Sequence, residues 1–254
     1  MQGETNPRKQ AQSSSPKRHR RAKSALRRML AFQEDKARRF IEDDYDPTPA
    51  MRLRSLEIRR LLERVRTIEA EARVLEVGSG AHGLIFFFGS RLGIGLDPLA
   101  NHYVKLFPAW QRRVSTIAGY GESLPFANGA FDVLLSDDVL DYAEDPAQIL
   151  AEMSRVLAPS GILYLSLNIS HPVWKFWNAV HETPDFHTTN ISLREARRHL
   201  TRLPLRLMWQ RDNIRETRAA MKKRKERRWR AWVKSVFYFR ARFEAIAVGE
   251  EKKK

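Results

Sequence analysis

Leu26, Met29, Leu30, Ala37, Phe40 and Ile41 recur at near-helical spacing, and the run Glu42-Asp-Asp-Tyr-Asp-Pro47 closes that predicted helix. A second helix is expected from about Ala50 to Ile68, with Leu53, Leu56, Ile58, Leu61, Leu62 and Val65 forming its buried face. The period then changes. Arg73-Val-Leu-Glu-Val-Gly78 reads as a short buried strand ending in a glycine turn, and Leu84–Phe88 as an apolar helix after it. Further strands are predicted at Gly93–Asp97, Val114–Ala118, Phe131–Ser136, Gly161–Asn168, Leu205–Gln210 and Phe237–Val248. Between them, Leu99–Phe107, Pro146–Leu157 and a segment from the N-cap candidate Ser192 to Thr201 carry helical periodicity. Such alternation implies right-handed crossovers and an α/β fold with a parallel, doubly wound sheet. His171–Asn190 has no period and reads as a loop, whereas Asn213–Val236 reads as a basic helix.

Composition sharpens this picture only when it is divided along the chain. The 254 residues include 46 Lys plus Arg, 30 Asp plus Glu and no Cys, for a formal charge of +16. Residues 1–70 carry +8, residues 71–170 carry −5 and residues 171–254 carry +13. A basic head and tail therefore flank an acidic middle. Residues 1–25 lack apolar periodicity and read as a disordered basic arm, 26–70 as N-terminal helices, and 71–254 as the main domain with a basic amphipathic insertion at about 213–236. The absence of cysteine removes disulfides and thiolate metal sites, and no metal site is expected. The longest apolar run, Gly83–Gly89, is far short of a membrane span. With no apolar leader behind the basic N-terminus, the cytoplasm is the expected compartment.

Gly78-Ser-Gly80-Ala-His-Gly83 follows a strand, and Asp97 ends the next one. That pattern suits a nucleotide fold, a dinucleotide dehydrogenase included. Charge separates the candidates. A pyrophosphate at this turn requires N–H donors, yet Glu76 precedes the first glycine by two residues, and Asp137, Asp138, Asp141, Glu144 and Asp145 crowd the end of the fourth strand. Carboxylates there would repel a diphosphate and complement ammonium and sulfonium groups, which points to S-adenosylmethionine. The plainer reading of Glu76 is a cap on backbone amides, and of Asp141, Glu144 and Asp145 a solvated helix start.

Glu122-Ser-Leu-Pro-Phe126, Phe131-Asp-Val-Leu-Leu-Ser136, Val139-Leu-Asp-Tyr142 and Met153-Ser-Arg-Val-Leu-Ala-Pro-Ser-Gly161 then follow in order. Over residues 55–170 this succession resembles class I S-adenosylmethionine-dependent methyltransferases. The resemblance implies a Rossmann-like seven-stranded sheet of order 3-2-1-4-5-7-6 with an antiparallel last strand. It also implies that Glu76, Gly78, Ser79 and Gly80 hold the methionine end of the cofactor and that Asp97 binds the ribose. Glu122 or a neighbouring amide would approach the adenine, and Ser136 or Asp137 would meet the amino group. Two positions depart from the family pattern: Tyr120 stands where an adenine-side acid is usual, and the longer glycine loop introduces His82, either toward a ligand or as a structural side chain.

A hydroxyl acceptor would need a base, and the loop after the fifth strand offers His171 and His187. The fourth strand ends Ser-Asp-Asp-Val, without the Asn-Pro-Pro-Tyr type of turn that marks methylation of base amines. Lys222–Arg230 places seven bases in nine positions, with Trp229, Trp232, Val233 and Val236 on one face. This segment reads as a lid, or as a surface for an anionic membrane or RNA phosphates. The leading expectation is methylation of a small-molecule, lipid-linked or glycan acceptor, with peripheral membrane contact. RNA methylation is the alternative, and a methyltransferase-like binding protein without turnover is the third reading.

Overall fold

In a computed structural model the described residues are 16–173, 190–222 and 240–250, with only the helical backbone described over 16–22. Two helices, α1 (Pro16–Glu42) and α2 (Thr48–Glu63), precede β1 (Arg73–Val77). Then come a single 3-10 turn (Leu84–Phe87), β2 (Leu92–Leu96), α3 (Ala100–Leu106), α4 (Pro108–Gln111) and β3 (Ser115–Ile117). The second half contains β4 (Phe131–Asp137), α5 (Pro146–Val156), β5 (Leu157–Ser170), α6 (Leu193–Thr201), β6 (Leu205–Asp212), α7 (Ile214–Lys222) and β7 (Arg240–Gly249).

The strands form one seven-stranded sheet of order β3-β2-β1-β4-β5-β7-β6, as the resemblance implies. β1 pairs in parallel with β2 and β4, while β7 runs antiparallel to both β5 and β6. Because successive side chains of a strand face opposite ways, the sheet divides its apolar residues between two cores. Leu75, Val77, Leu134, Leu163 and Leu165 pack toward α5 and α6. Val74, Val133, Leu135, Ile162 and Tyr164 pack toward α2, α3 and the partly buried face of α1.

Local chemistry explains most element boundaries. Asp145 caps α5 by accepting from the Ala147 and Gln148 amides, with Pro146 in the first turn. Ser192 and Glu195 form the reciprocal capping box that starts α6. The predicted helix over Leu84–Phe88 is one 3-10 turn, because Gly83 and Gly89 bracket it and leave room for little more. The helix expected to run to Phe107 breaks there: Pro108 disfavours helical geometry in the residue before it and starts α4.

α1 begins at Pro16, inside the segment read from sequence as an arm. Ala, Lys and Arg are good helix formers, and extending a docked helix costs far less than nucleating one. Residues 223–236 of the predicted basic helix lie outside the described residues, as do Phe237, Tyr238 and Phe239 at the predicted start of the last strand. Among the described residues no helix is long and apolar enough to cross a membrane.

Candidate functional site

The crevice forms where strand order reverses, between the carboxyl ends of β1 and β4. β1 delivers the chain into Gly78, which bends it with φ +75° while the Gly78 and Ser79 amides donate to the Leu96 carbonyl at 2.7 and 3.1 Å. Asp97, at the end of β2, completes this latch. Its Oδ2 accepts the Gly80 amide at 3.0 Å and its Oδ1 the Leu99 amide at 2.8 Å. Burial pushes the Asp97 carboxyl up to about 6, against the pull of those two amides. Each oxygen keeps a lone pair for a ligand.

Gly78, Gly80, Asp97 and Glu122 line one cavity of about 290 Å³. Its floor includes Val77, Leu96 and Ile149, its rim Tyr120, Asp138 and Tyr142, and its roof Ala25, Leu26, Met29 and Gln33 from α1. A Cβ at Gly80 would meet nothing within 4 Å, so that position opens onto space. At Gly78 a Cβ would stand 2.3 Å from Val139 Cγ2. Gly78→Ala is therefore expected to cost about 2–4 kcal/mol, from the left-handed backbone and the displaced valine. Urea unfolding of G78A and G78A/V139A checks this, and the double variant should recover part of the loss.

Four of the expected contact residues stand outside the cavity wall. Glu76 is 1% exposed and spends its carboxylate on the Leu84 amide at 3.1 Å and the Ile85 amide at 2.8 Å. Ser79 and Ser136 are buried, each with an Oγ that has no hydrogen-bond partner. Asp137 is claimed by charge: Arg54 reaches it from α2 at 2.8 Å, Arg242 from β7, and the Ser166 hydroxyl donates to it as well. Burial alone would raise the Asp137 carboxyl, but the two guanidiniums hold it below the ordinary range. Neither Ser136 nor Asp137 is thus placed for the amino-group contact expected of it.

The next residue reaches the cavity instead. Asp138 adopts φ +58°, which turns its side chain off the strand and onto the rim. Arg242 Nη1 holds its Oδ2 at 2.7 Å, while burial raises its pKa. Of the two histidines proposed as bases, His171 stands just beyond β5, outside the cavity wall, and its Nδ1 accepts the Val173 amide at 3.3 Å. His187 lies outside the described residues.

His82 turns away from the cavity, toward α1. Its ring centroid is 4.5 Å from Phe107, 4.6 Å from Trp110 and 5.6 Å from Phe40, and neither ring nitrogen has a hydrogen-bond partner. This is the structural alternative for the loop histidine. Burial, assisted by the Lys36 charge, lowers its pKa to about 3. Because that lies below the ordinary 6.5, the unfolded chain binds the proton more readily: the stabilising contribution is present above pH 6.5 and lost as pH falls toward 3. Asp97 and Glu76 titrate with the opposite sign, so the difference between wild type and His82→Phe isolates the effect. The melting temperature of H82F should gain on wild type as pH falls from 7 to 4.5.

Sequence reasoning missed Gln33, gave Met29 no place at the cavity, and counted Asp138 among the strand-end acids without assigning it a contact. Periodicity marks Met29 as apolar without saying what its face covers, and strand alternation alone does not reveal that a left-handed residue follows Asp137. The motif Met153-Ser-Arg155 acquires a purpose: Arg155 binds the Leu124 and Phe126 carbonyls at 3.0 and 2.8 Å, clamping the segment that presents Glu122.

Residues 75–165 match a family model described as a methyltransferase domain. An uncharacterized methyltransferase of Mycobacterium sp. (strain JLS) is 36% identical over 100 residues, covering 38% of each chain. The chain thus matches less than half the length of the curated relatives it resembles. The YcgJ protein of Bacillus subtilis superposes with a TM-score of 0.57 at 19% identity, covering 76% of this chain and 98% of that one. Geranyl diphosphate C-methyltransferase from Streptomyces coelicolor A3(2), solved with Mg2+, geranyl diphosphate and S-adenosyl-L-homocysteine, gives 0.58 at 16% identity, covering 76% and 77%. At these identities the structural likeness is one of fold.

Proposed function

We propose that residues 75–165, which match the methyltransferase-domain model, form a class I S-adenosylmethionine-dependent methyltransferase domain, and that the protein binds S-adenosylmethionine and transfers its methyl group. The observation that carries this is the cavity itself: an open glycine turn, an ionisable Asp97 with spare acceptor capacity and acidic side chains lining one cavity. The residues present fit such a ligand. Gly80 leaves room beside the turn, Asp97 can accept from a diol, and apolar Leu99, Met29 and Ile149 can flank a base.

The sulfonium supplies an already activated methyl carbon, so the protein's task is alignment and exclusion of water. Gly78 and Gly80 shape the turn beside the cavity, α1 closes the roof, and Asp97 would hold the sugar of the bound cofactor. With a hydroxyl acceptor, Asp138 on the rim would take the proton. Arg242 anchors one of its oxygens, and burial favours its protonated form.

The acceptor we propose is a small-molecule, lipid-linked or glycan group, with the basic flanks serving to dock the enzyme peripherally on an anionic membrane. Charge segregation supports docking: +8 and +13 flank a −5 centre. The same flanks favour RNA as the second reading. Calorimetry with S-adenosylhomocysteine should show micromolar binding, and absence of binding at millimolar ligand would sink every enzymatic reading. Labelled methyl transfer into cell extract, divided into RNA, lipid and small-molecule fractions, then identifies the acceptor. Label in an RNase-sensitive fraction would replace the first reading by the second.

A further inference from the structure

α1 is peripheral to the sheet, yet one face of it roofs the cavity: Ala25, 7% exposed, with Leu26, Met29 and Gln33 at helical spacing. Gln33 has the one carboxamide on that face. Its Nε2 points along the helix to Met29 Sδ at 3.8 Å, whereas its Oε1 is shielded from solvent and has no hydrogen-bond partner. A buried acceptor without a partner is unfavourable, and because Gln33 belongs to the cavity wall, its Oε1 is where a bound ligand's donor would be accepted.

We propose that Gln33 Oε1 accepts the purine amine of the cofactor and so gives the cavity its specificity for adenine, an inference that rests on the cofactor reading above. Three other carboxylates of the wall have separate work. Asp97 is bound into the glycine turn, Asp138 is held by Arg242, and Glu122 Oε1 takes the Glu144 and Asp145 amides. An ammonium would seek a carboxylate, but the surroundings of Gln33 are the apolar Leu26 and Met29. A neutral oxygen in an apolar wall suits a neutral N–H on the edge of a flat base. Rotating the amide to serve a carbonyl would set Oε1 against the Met29 sulfur, so adenine is favoured over hypoxanthine.

The test compares S-adenosylhomocysteine with S-inosylhomocysteine, in which a carbonyl replaces the amine, by calorimetry on the full chain. Wild type should prefer the adenosyl ligand by roughly tenfold, the worth of one buried hydrogen bond. Gln33→Leu should weaken the adenosyl ligand by about that factor, leave the inosyl ligand nearly unchanged and so erase the preference. Gln33→Glu, which can only accept when ionised, should keep or sharpen it, and ligand-free melting of both variants reports on folding. Glu144 Oε1 is the second unpartnered acceptor on the wall, and Glu144→Gln should leave the preference intact. The proposal is overturned if Q33L keeps the full preference, if Q33L weakens both ligands equally, or if E144Q alone removes it. Wild type binding neither ligand would overturn the cofactor reading as well.

Discussion

Asp97→Ala is expected to weaken binding of S-adenosylhomocysteine at least a hundredfold. On the proposed reading the side chain accepts from the two ribose hydroxyls, and hydrogen bonds to a charged acceptor contribute about 1.5–3 kcal/mol each, or about 3–6 kcal/mol together. The substitution also releases the Gly80 and Leu99 amides, so the loop loses its latch to β2 and the melting temperature of the ligand-free protein should fall. A deoxyribose analogue separates the two effects: if the hydroxyls are the contact, the analogue loses much less than the parent ligand when Asp97 is removed. Affinity should also decline as pH drops through about 6, because burial has raised the carboxyl to that point and the hydroxyls need its ionised form. A D97A protein that binds within threefold of wild type would show that the sugar lies elsewhere.

Glu76→Ala should produce the largest loss of stability, about 3–5 kcal/mol by urea unfolding, through two buried amides left without an acceptor. Glu76→Gln should cost less, since one amide keeps its oxygen. Burial pushes the Glu76 carboxyl up to about 8, with the Leu84 and Ile85 amides opposing and the Asp137 and Asp97 charges adding to the rise. With the folded value above the ordinary 4.5, the native state holds the proton more tightly. This contribution is complete below pH 4.5 and lost as pH rises through about 8. The melting temperature of wild type should therefore fall between pH 6.5 and 8.5, and E76Q should flatten that decline. A cationic ligand nearby favours the ionised carboxylate, so binding at pH 7 should release protons, seen as a dependence of the calorimetric heat on the buffer's ionisation enthalpy.

The site was legible wherever function depends on backbone and on order along the chain. Gly78, Gly80 and Asp97 are recognisable because a strand, a glycine turn and an acid at the next strand end form a pattern read along one dimension. Asp137 shows where this stops. Its neighbours in space are Arg54 and Arg242, 83 and 105 positions away, and no local pattern reports a pairing at that separation. The charge tally had the right sign for the middle of the chain, yet part of that acidity is neutralised by arginines from the flanking elements rather than reserved for a ligand.

Alternation of strands and helices, the motif succession and the segregated charge come from the amino-acid sequence alone, because hydrophobic period and turn chemistry act over a few residues. The tertiary structure decided which face of α1 roofs the cavity, that His82 packs among Phe40, Phe107 and Trp110, and that Asp138 rather than Asp137 meets the rim. Each of these depends on elements distant in sequence competing for one side chain, and packing settles that competition only once the sheet has brought them together.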